Sequence, residues 1–289
     1  MFIFCKTIYI KDKSLVNTKG SLLIIANHPN SFLDAVIIGA QYSRRVYFLA
    51  RGDVFTKKHH RYLLGLLNMI PVYRLREGRE YLNLNEYAFV ASKNLLAKGE
   101  AVLIFIEGIC LNTNELQPFK KGTTRILQGA QEIGVYPSIH VVGIAYDNFR
   151  GPGKYVNVVY SDFPYTKRII TGKDRVDFNN EVFTLLLKNI ITPSVPVLND
   201  TLACKLRYAL ARALYYLQAL YYFPLRGFVA RVTKGSVFYD SVLFALLLFT
   251  YPLFLLIIFI LLYQLSLPLP IILITFVTIP IVPKFASKK

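Results

Sequence analysis

The 289-residue chain has no tryptophan, two methionines and three cysteines. Cys5, Cys110 and Cys204 are far apart and match no metal-binding spacing, so the sequence predicts neither a zinc module nor a disulfide framework. Disorder is excluded as well, because 54% of the residues are hydrophobic and 14% aromatic. The chain is long enough to bury a full core, and its cysteine usage fits a reducing compartment.

Acidic residues are the scarcer charge, with 17 Asp and Glu against 34 Lys and Arg and a formal net charge of +17. All of the acids lie within residues 1–240, and no charge of either sign occurs from Ser241 to Pro283. Charged and apolar residues therefore occupy different parts of the chain. Nucleic acid is not a predicted partner, because the chain contains no recognisable nucleic-acid motif. The N-terminus also lacks the apolar run of a secretory signal.

The uncharged stretch Ser241–Pro283 predicts a membrane segment. As a helix it would cover about 65 Å, roughly twice the hydrocarbon thickness of a bilayer. Val242–Tyr263 is long enough for one pass, and Pro268 and Pro270 predict a turn. Ile271–Val282 then returns, but it is short and interrupted by Pro280, so it is either a transmembrane pass or a shallow, re-entrant one. Basic residues flank both ends, which favours a hairpin with both ends on the cytoplasmic side.

Two basic segments could contact a membrane surface. Leu202–Phe223 mixes basic and tyrosine side chains, which suit anionic headgroups, although a surface helix of a soluble protein could have the same composition. Lys57–Arg61 is a predicted loop that is either solvated or bound to anionic headgroups or to phosphates of a carrier.

Residues 20–165 alternate short apolar runs with helical patterns, which predicts an α/β domain with a mixed, largely parallel sheet flanked by helices. Residues 166–200 are polar and then proline-containing, and we interpret them as a joint. The chain therefore divides into an α/β domain at 1–200, an interfacial region at 201–240 and a membrane hairpin at 241–289. The predicted strands are Leu22–Ala26, Val46–Ala50, Ala101–Ile106, Ile139–Ala145 and Tyr155–Tyr160, and the predicted helices are Phe32–Tyr42, Arg61–Leu67, Arg79–Ala97 and Thr123–Ile133.

The first predicted strand ends in Asn27-His28, and Asp34 follows in the first turns of a helix. A histidine at the carboxyl end of such a strand projects into the crevice where α/β proteins bind ligands. A carboxylate that holds one ring N–H fixes the tautomer and makes the other nitrogen a better base. His28 and Asp34 could therefore remove a proton from a hydroxyl nucleophile. Their spacing alone does not exclude a structural histidine.

Three further segments could bind an anionic substrate. Arg74 follows a short extended run, and arginine suits bidentate phosphate binding. Glu107 and Gly108 follow another predicted strand. Lys120 and Lys121 precede a predicted helix, whose N-terminus favours an anion. Each segment alone could equally be an ordinary surface feature.

Together and in this order, these segments resemble the membrane-associated glycerolipid acyltransferases, the PlsC-like family. The four blocks that carry the resemblance are Asn27–Asp34, Pro71–Arg74, Phe105–Gly108 and Ile139–Ile144. The resemblance covers roughly residues 20–165. It implies an O-acyltransferase that acts at the cytoplasmic face of a membrane, with a lipid bilayer of anionic headgroups as a partner.

The resemblance also implies roles for individual residues. His28 would be the general base and Asp34 its orienting partner in the attack of an acceptor hydroxyl on the thioester of acyl-CoA or acyl carrier protein. Arg74 would bind the acceptor phosphate, while Glu107 with Gly108 would position the glycerol backbone. No metal and no cofactor beyond the acyl donor are implied. Lysophosphatidate is the expected acceptor, glycerol 3-phosphate the near alternative, and another amphiphilic alcohol or amine a third.

The chain departs from the family pattern in several places. Five residues separate His28 from Asp34 where most members have four, a spacing that resembles a branch acylating glycerol 3-phosphate. The phosphate-binding arginine expected after Glu-Gly is Cys110, so Lys120, Lys121 or Arg125 would have to replace it. Two family prolines are also missing, at Ile106 and Val141, and the neighbouring His140 is interpreted as structural. These departures leave open a catalytically inactive membrane-binding protein of the same fold.

Overall fold

The sheet at the centre of the protein has seven strands. The computed structural model describes residues 4–55, 57–73, 85–195, 206, 209, 218–265 and 268. The strands are β1 (Cys5–Lys11), β2 (Leu22–Ala26), β3 (Val46–Arg51), β4 (Met69–Val72), β5 (Ala101–Phe105), β6 (Ser138–Tyr146) and β7 (Lys154–Asp162).

The strand order is β1-β7-β6-β2-β5-β3-β4, and every neighbouring pair is parallel except β6–β7. This confirms the mixed, largely parallel sheet. The five predicted strands are present, and β2 has the predicted bounds because its five residues are buried on both faces and form a continuous apolar run. Two strands were not predicted: β1, and β4, which has only four residues and contains Pro71.

Helices cover both faces of the sheet, as predicted. They are α1 (Phe32–Gly39), α2 (Lys58–Leu66), α3 (Asn85–Ala97), α4 (Gly122–Glu132), α5 (Gly172–Asn189), α6 (Ala219–Val232) and α7 (Tyr239–Gln264). One apolar cluster joins the sheet to α1 and the start of α7, and a second joins the opposite face to α3, α4 and α5.

Two local interpretations from the sequence were wrong. The predicted joint at 166–200 contains α5, which buries Phe178, Val182 and Leu186 against the sheet. These three residues are spaced four apart, so they form one buried stripe, and α5 also carries the exposed apolar residues Val176, Phe183 and Leu187. The basic segment Lys57–Arg61 is not a loop, because α2 begins at Lys58.

Helices α6 and α7 pack against each other in an antiparallel pair. The Tyr221 hydroxyl lies 2.6 Å from Oγ1 of Thr250, and its ring stacks on Phe254 with the ring centres 4.4 Å apart. Within the described part of the chain, α7 alone is long and apolar enough to cross a membrane, with a mean hydropathy of 2.8. The predicted returning pass, Ile271–Val282, and most of Leu202–Phe223 lie outside the described residues.

Candidate active site

Strands β2 and β5 end side by side and direct their following residues to one edge of the sheet. They are parallel, and Ala26 is in register with Phe105. The chain continues from β2 through α1 to β3 on one side, and from β5 through α4 to β6 on the other. In α/β proteins, ligands bind in the crevice that such a divergence creates at the carboxyl ends of two strands.

Asn27 extends the pairing of β2 with β6 by one residue. Its side-chain amide donates to the Ile144 carbonyl at 2.9 Å and accepts from the Ile144 N–H at 2.8 Å. The amide thus takes the place of a backbone pair and satisfies two buried groups. It fixes the backbone immediately before His28.

His28 and Asp34 meet, as predicted. Nδ1 of His28 lies 2.9 Å from Oδ2 of Asp34, whose side chain is fully buried in the first turn of α1. An ionised carboxylate can only accept, so this contact assigns the proton to Nδ1 and the lone pair to Nε2. The His28 side chain is 17% exposed, and no hydrogen bond to Nε2 occurs among the described residues. Nε2 is therefore the nitrogen available to act as a base.

The ring of His28 is held from the side as well. It stacks on Phe105, with ring centres 3.8 Å apart and planes 11° apart. Phe105 is the last residue of β5. The hydrogen bond to Asp34 and this stack restrain both the tilt and the rotation of the imidazole, which pre-organises it for proton transfer.

The buried Asp34 carboxylate has two further hydrogen bonds. Oδ2 also accepts from the Asn30 backbone N–H at 2.7 Å, and Oδ1 accepts from the Tyr146 hydroxyl at 2.7 Å. Burial raises the pKa of Tyr146 well above its usual range, so the phenol stays protonated and donates. Tyr146 was not identified from the sequence. The only available signal was its position at the end of β6, two residues beyond the fourth block.

Glu107 holds the loop that carries His28. Its side chain is buried, and its two oxygens accept from the backbone N–H groups of His28 and Gln117, each at 2.9 Å. Burial raises its pKa, and the two backbone donors oppose that shift. This geometry shows Glu107 as a structural clamp on the site, and its predicted contact with the glycerol backbone stays a prediction.

Gly108 and Lys120 are brought together beside this clamp. Gly108 has φ +60°, and a Cβ built there would lie 2.9 Å from Cγ of Lys120. The Lys120 N–H donates to the Ile106 carbonyl at 2.9 Å, which fixes its backbone at the end of β5. A side chain at residue 108 would therefore displace the lysine stem. Lys121 follows as the exposed residue that precedes α4.

Cys110 occupies the place of the expected arginine, and its sulfur accepts from the Ser31 N–H at 3.0 Å. Ser31 has φ +52°, a conformation that is costly for a residue with a Cβ and that is typical of functional loops. Cys110 thus supports the loop between His28 and Asp34. The predicted phosphate ligand Arg74 lies outside the described residues.

His140 is structural, as interpreted from the sequence. It is buried within β6, and its two ring nitrogens lie 3.2 Å from the hydroxyls of Thr18 and Tyr42. Burial lowers its pKa, which favours the neutral ring. It therefore does not belong to the crevice.

Comparison with known proteins identifies the domain that contains this crevice. The sequence model of a family described as "Acyltransferase" matches residues 7–147. This part of the chain belongs to the acyltransferase family. Its matched residues carry both members of the His28–Asp34 pair, the Glu107 clamp and Tyr146.

The chain is also similar to a solved structure, the crystal structure of the 1-acyl-sn-glycerophosphate (LPA) acyltransferase PlsC from Thermotoga maritima. The sequence identity is 15% and the TM-score 0.46, over 63% of this chain and 70% of that one. No curated protein matches the sequence.

Proposed function

We propose that this acyltransferase transfers a fatty acyl group from a thioester to a hydroxyl of a phosphorylated glycerol, with lysophosphatidate as the acceptor and phosphatidate as the product. The observation that carries the proposal is the imidazole of His28, oriented by a buried carboxylate, with Nε2 open in the crevice of an acyltransferase domain. A base in this arrangement accelerates a reaction by about 10²–10⁴-fold.

The reaction balances without a covalent enzyme intermediate. Nε2 of His28 takes the proton of the acceptor hydroxyl while the oxygen attacks the thioester carbonyl. The new C–O bond forms, the C–S bond breaks, and the proton passes from the imidazole to the departing thiolate. Asp34 stabilises the imidazolium that exists between these two transfers.

The acceptor phosphate requires cationic partners. Lys120 stands over Gly108 beside the His28 loop, and Lys121 precedes the N-terminus of α4. A helix N-terminus with lysines favours a phosphate. We assign Lys120, Lys121 and Arg74 to the phosphate, because Cys110 cannot supply the positive charge of the arginine that it replaces. Glycerol 3-phosphate carries the same group and is the alternative acceptor.

Helix α7 supports action at a membrane. Its 26 residues span about 39 Å at helical rise, and from Leu248 onward many apolar side chains are exposed. Helix α2 would add a surface contact, because Lys57 and Lys58 at its start are exposed and so are its apolar side chains Leu63 and Leu66. An anionic bilayer that retains both lysophosphatidate and phosphatidate is the corresponding partner. The catalytic domain would lie on the cytoplasmic face.

The direct test is an acyl-transfer assay of the detergent-purified full chain. Labelled acyl-CoA and acyl carrier protein would each be offered with lysophosphatidate and with glycerol 3-phosphate. We expect labelled phosphatidate from lysophosphatidate, and a rate lower by about 10²–10⁴-fold for the His28→Ala variant. Product from glycerol 3-phosphate alone would reassign the acceptor, and a wild-type chain inactive with both acceptors would favour a membrane-binding protein that has kept the fold.

A further inference from the structure

The start of helix α7 is bonded to the loop that carries His28. The carboxylate of Asp240, the second residue of α7, is buried. Oδ2 accepts from the Asn30 side-chain amide at 3.0 Å and lies 2.6 Å from Nζ of Lys154, while Oδ1 accepts from the Gly151 N–H at 2.7 Å. Asn30 lies between His28 and Asp34 in the sequence. One carboxylate thus connects the apolar helix to the loop of the proposed base.

The next residue of α7 makes a second connection. Oγ of Ser241 accepts from the backbone N–H of Phe32 at 3.1 Å. Phe32 opens α1, and its N–H is one of those that a helix start leaves without an internal partner. Two consecutive residues of α7 therefore bind the segment that leads into Asp34.

Stability alone does not account for the Lys154–Asp240 pair. Both side chains are fully buried, and the cost of removing two charges from water offsets most of their attraction. Burial lowers the pKa of Lys154, and Asp240 opposes that shift. The ammonium and the Gly151 N–H hold the carboxylate in place, which makes it a fixed acceptor for the Asn30 amide.

Asn30 transmits this restraint to the catalytic pair. Its side-chain Oδ1 is buried and has no hydrogen-bond partner in the described ranges, so the bond to Asp240 sets the orientation of the amide. Its backbone N–H donates to Oδ2 of Asp34, the same oxygen that holds Nδ1 of His28. A shift of Asn30 would therefore move the hydrogen bond that orients the imidazole.

We propose that Asp240 is a positioning residue for acyl transfer, through which the first turn of α7 holds the Asn30 segment and the His28–Asp34 pair in their reactive arrangement. The proposal rests on the proposed acyltransferase function. If the proposal is right, the active site is correctly arranged only when the first turn of α7 is packed against the α/β domain. Helix α7 would then have this role in addition to any role in membrane attachment.

The test uses the full chain and three sets of substitutions. Asn30→Ala removes the amide but keeps the Asp240–Lys154 pair and the backbone bond to Asp34. Asp240→Ala with Lys154→Met removes the acceptor carboxylate together with its cationic partner, so no unpaired charge stays buried. We expect each variant to lower kcat by about 10- to 100-fold with little change in the KM for the acceptor, because small displacements of a base cost rate more than binding. The combined triple variant should be no slower than the slower of the two, since both act through one contact.

Asn189→Ala is the matched control. Its amide is similarly buried but donates to the Val141 carbonyl at 3.0 Å, where α5 meets the opposite face of the sheet. It should lower the melting temperature and leave the kcat of the folded enzyme unchanged. An active wild-type enzyme whose Asn30→Ala variant keeps its kcat would overturn this inference alone. Inactivity of the wild-type chain with every acceptor would overturn the proposed function, and this inference with it.

Discussion

The two faces of the sheet are built from different chemistry. On the face covered by α1 and the start of α7, the buried polar side chains include the charged groups Asp34, Lys154 and Asp240. On the face covered by α3, α4 and α5, the buried anchors include the neutral amides of Gln131 and Asn189, which bond loop and strand backbone. A buried charge is costly unless it is paired. The buried charged residues on the first face therefore point to a functional site there more than to a stabilising core.

Substituting the base should produce the largest effect. We expect His28→Ala to lower kcat by about 10²–10⁴-fold while the melting temperature changes little, because the ring is partly exposed at a strand end. Rates and melting curves of the same preparation check both points. A His28→Ala enzyme with the wild-type kcat would show that His28 is not the base.

A core substitution on the opposite face should affect stability but not catalysis. Leu186 of α5 is fully buried, so Leu186→Ala should cost about 2–5 kcal/mol of unfolding free energy. The adjacent Leu187 is 55% exposed, and Leu187→Ala is the control that should be close to neutral. Denaturation in detergent measures the loss. A lower kcat for the folded Leu186→Ala enzyme would mean that this face also shapes the site.

Tyr146→Phe should have a smaller effect on rate. It removes one of the three hydrogen bonds of Asp34 and keeps the ring, so we expect roughly a tenfold lower kcat, which corresponds to about 1.4 kcal/mol. Steady-state kinetics should show the loss in kcat more than in KM. Wild-type kinetics would show that the other two bonds orient the carboxylate sufficiently.

The smallest effect should appear in the pH dependence of stability. The pKa of Glu107 is higher in the folded protein than its ordinary value of 4.5, so the protonated carboxyl group stabilises the folded state. This contribution to the free energy of unfolding is fully present below pH 4.5, and it is lost as the pH rises through the pKa of the folded state. Glutamine does not titrate, so the destabilisation by Glu107→Gln should be greatest in acid and should decrease toward neutrality. Melting curves across this range measure it, and a difference that grows with pH would contradict the raised pKa.

Local patterns predicted the centre of the sheet and the contact between His28 and Asp34. The buried strands are continuous apolar runs, and His28 and Asp34 are close in sequence at a strand end and a helix start, where geometry brings them together. Strand β1 is at an edge and alternates in burial, which gives a weaker signal. The buried stripe of α5 was obscured because polar residues and exposed apolar residues lie between its members.

Long-range contacts could not be read from the sequence. Tyr146 is 112 residues from Asp34, and Asp240 is 210 residues from Asn30. In the sequence, a tyrosine at the end of a strand cannot be distinguished from an ordinary core aromatic residue. An acidic residue at the start of an apolar helix cannot be distinguished from a solvent-exposed helix cap. The pairing of β6 with β2 is what brings Tyr146 to Asp34, and the packing of α7 against α1 is what brings Asp240 to Asn30.

The most direct test of the central claim is the kcat of the full-length chain with lysophosphatidate for His28→Ala, Asp34→Ala and the double variant. If the imidazole is the base and the carboxylate acts only through it, the double variant will be no slower than His28→Ala, because residues acting as one unit are non-additive. Losses that multiply in the double variant, or a His28→Ala enzyme with the wild-type kcat, would contradict the account.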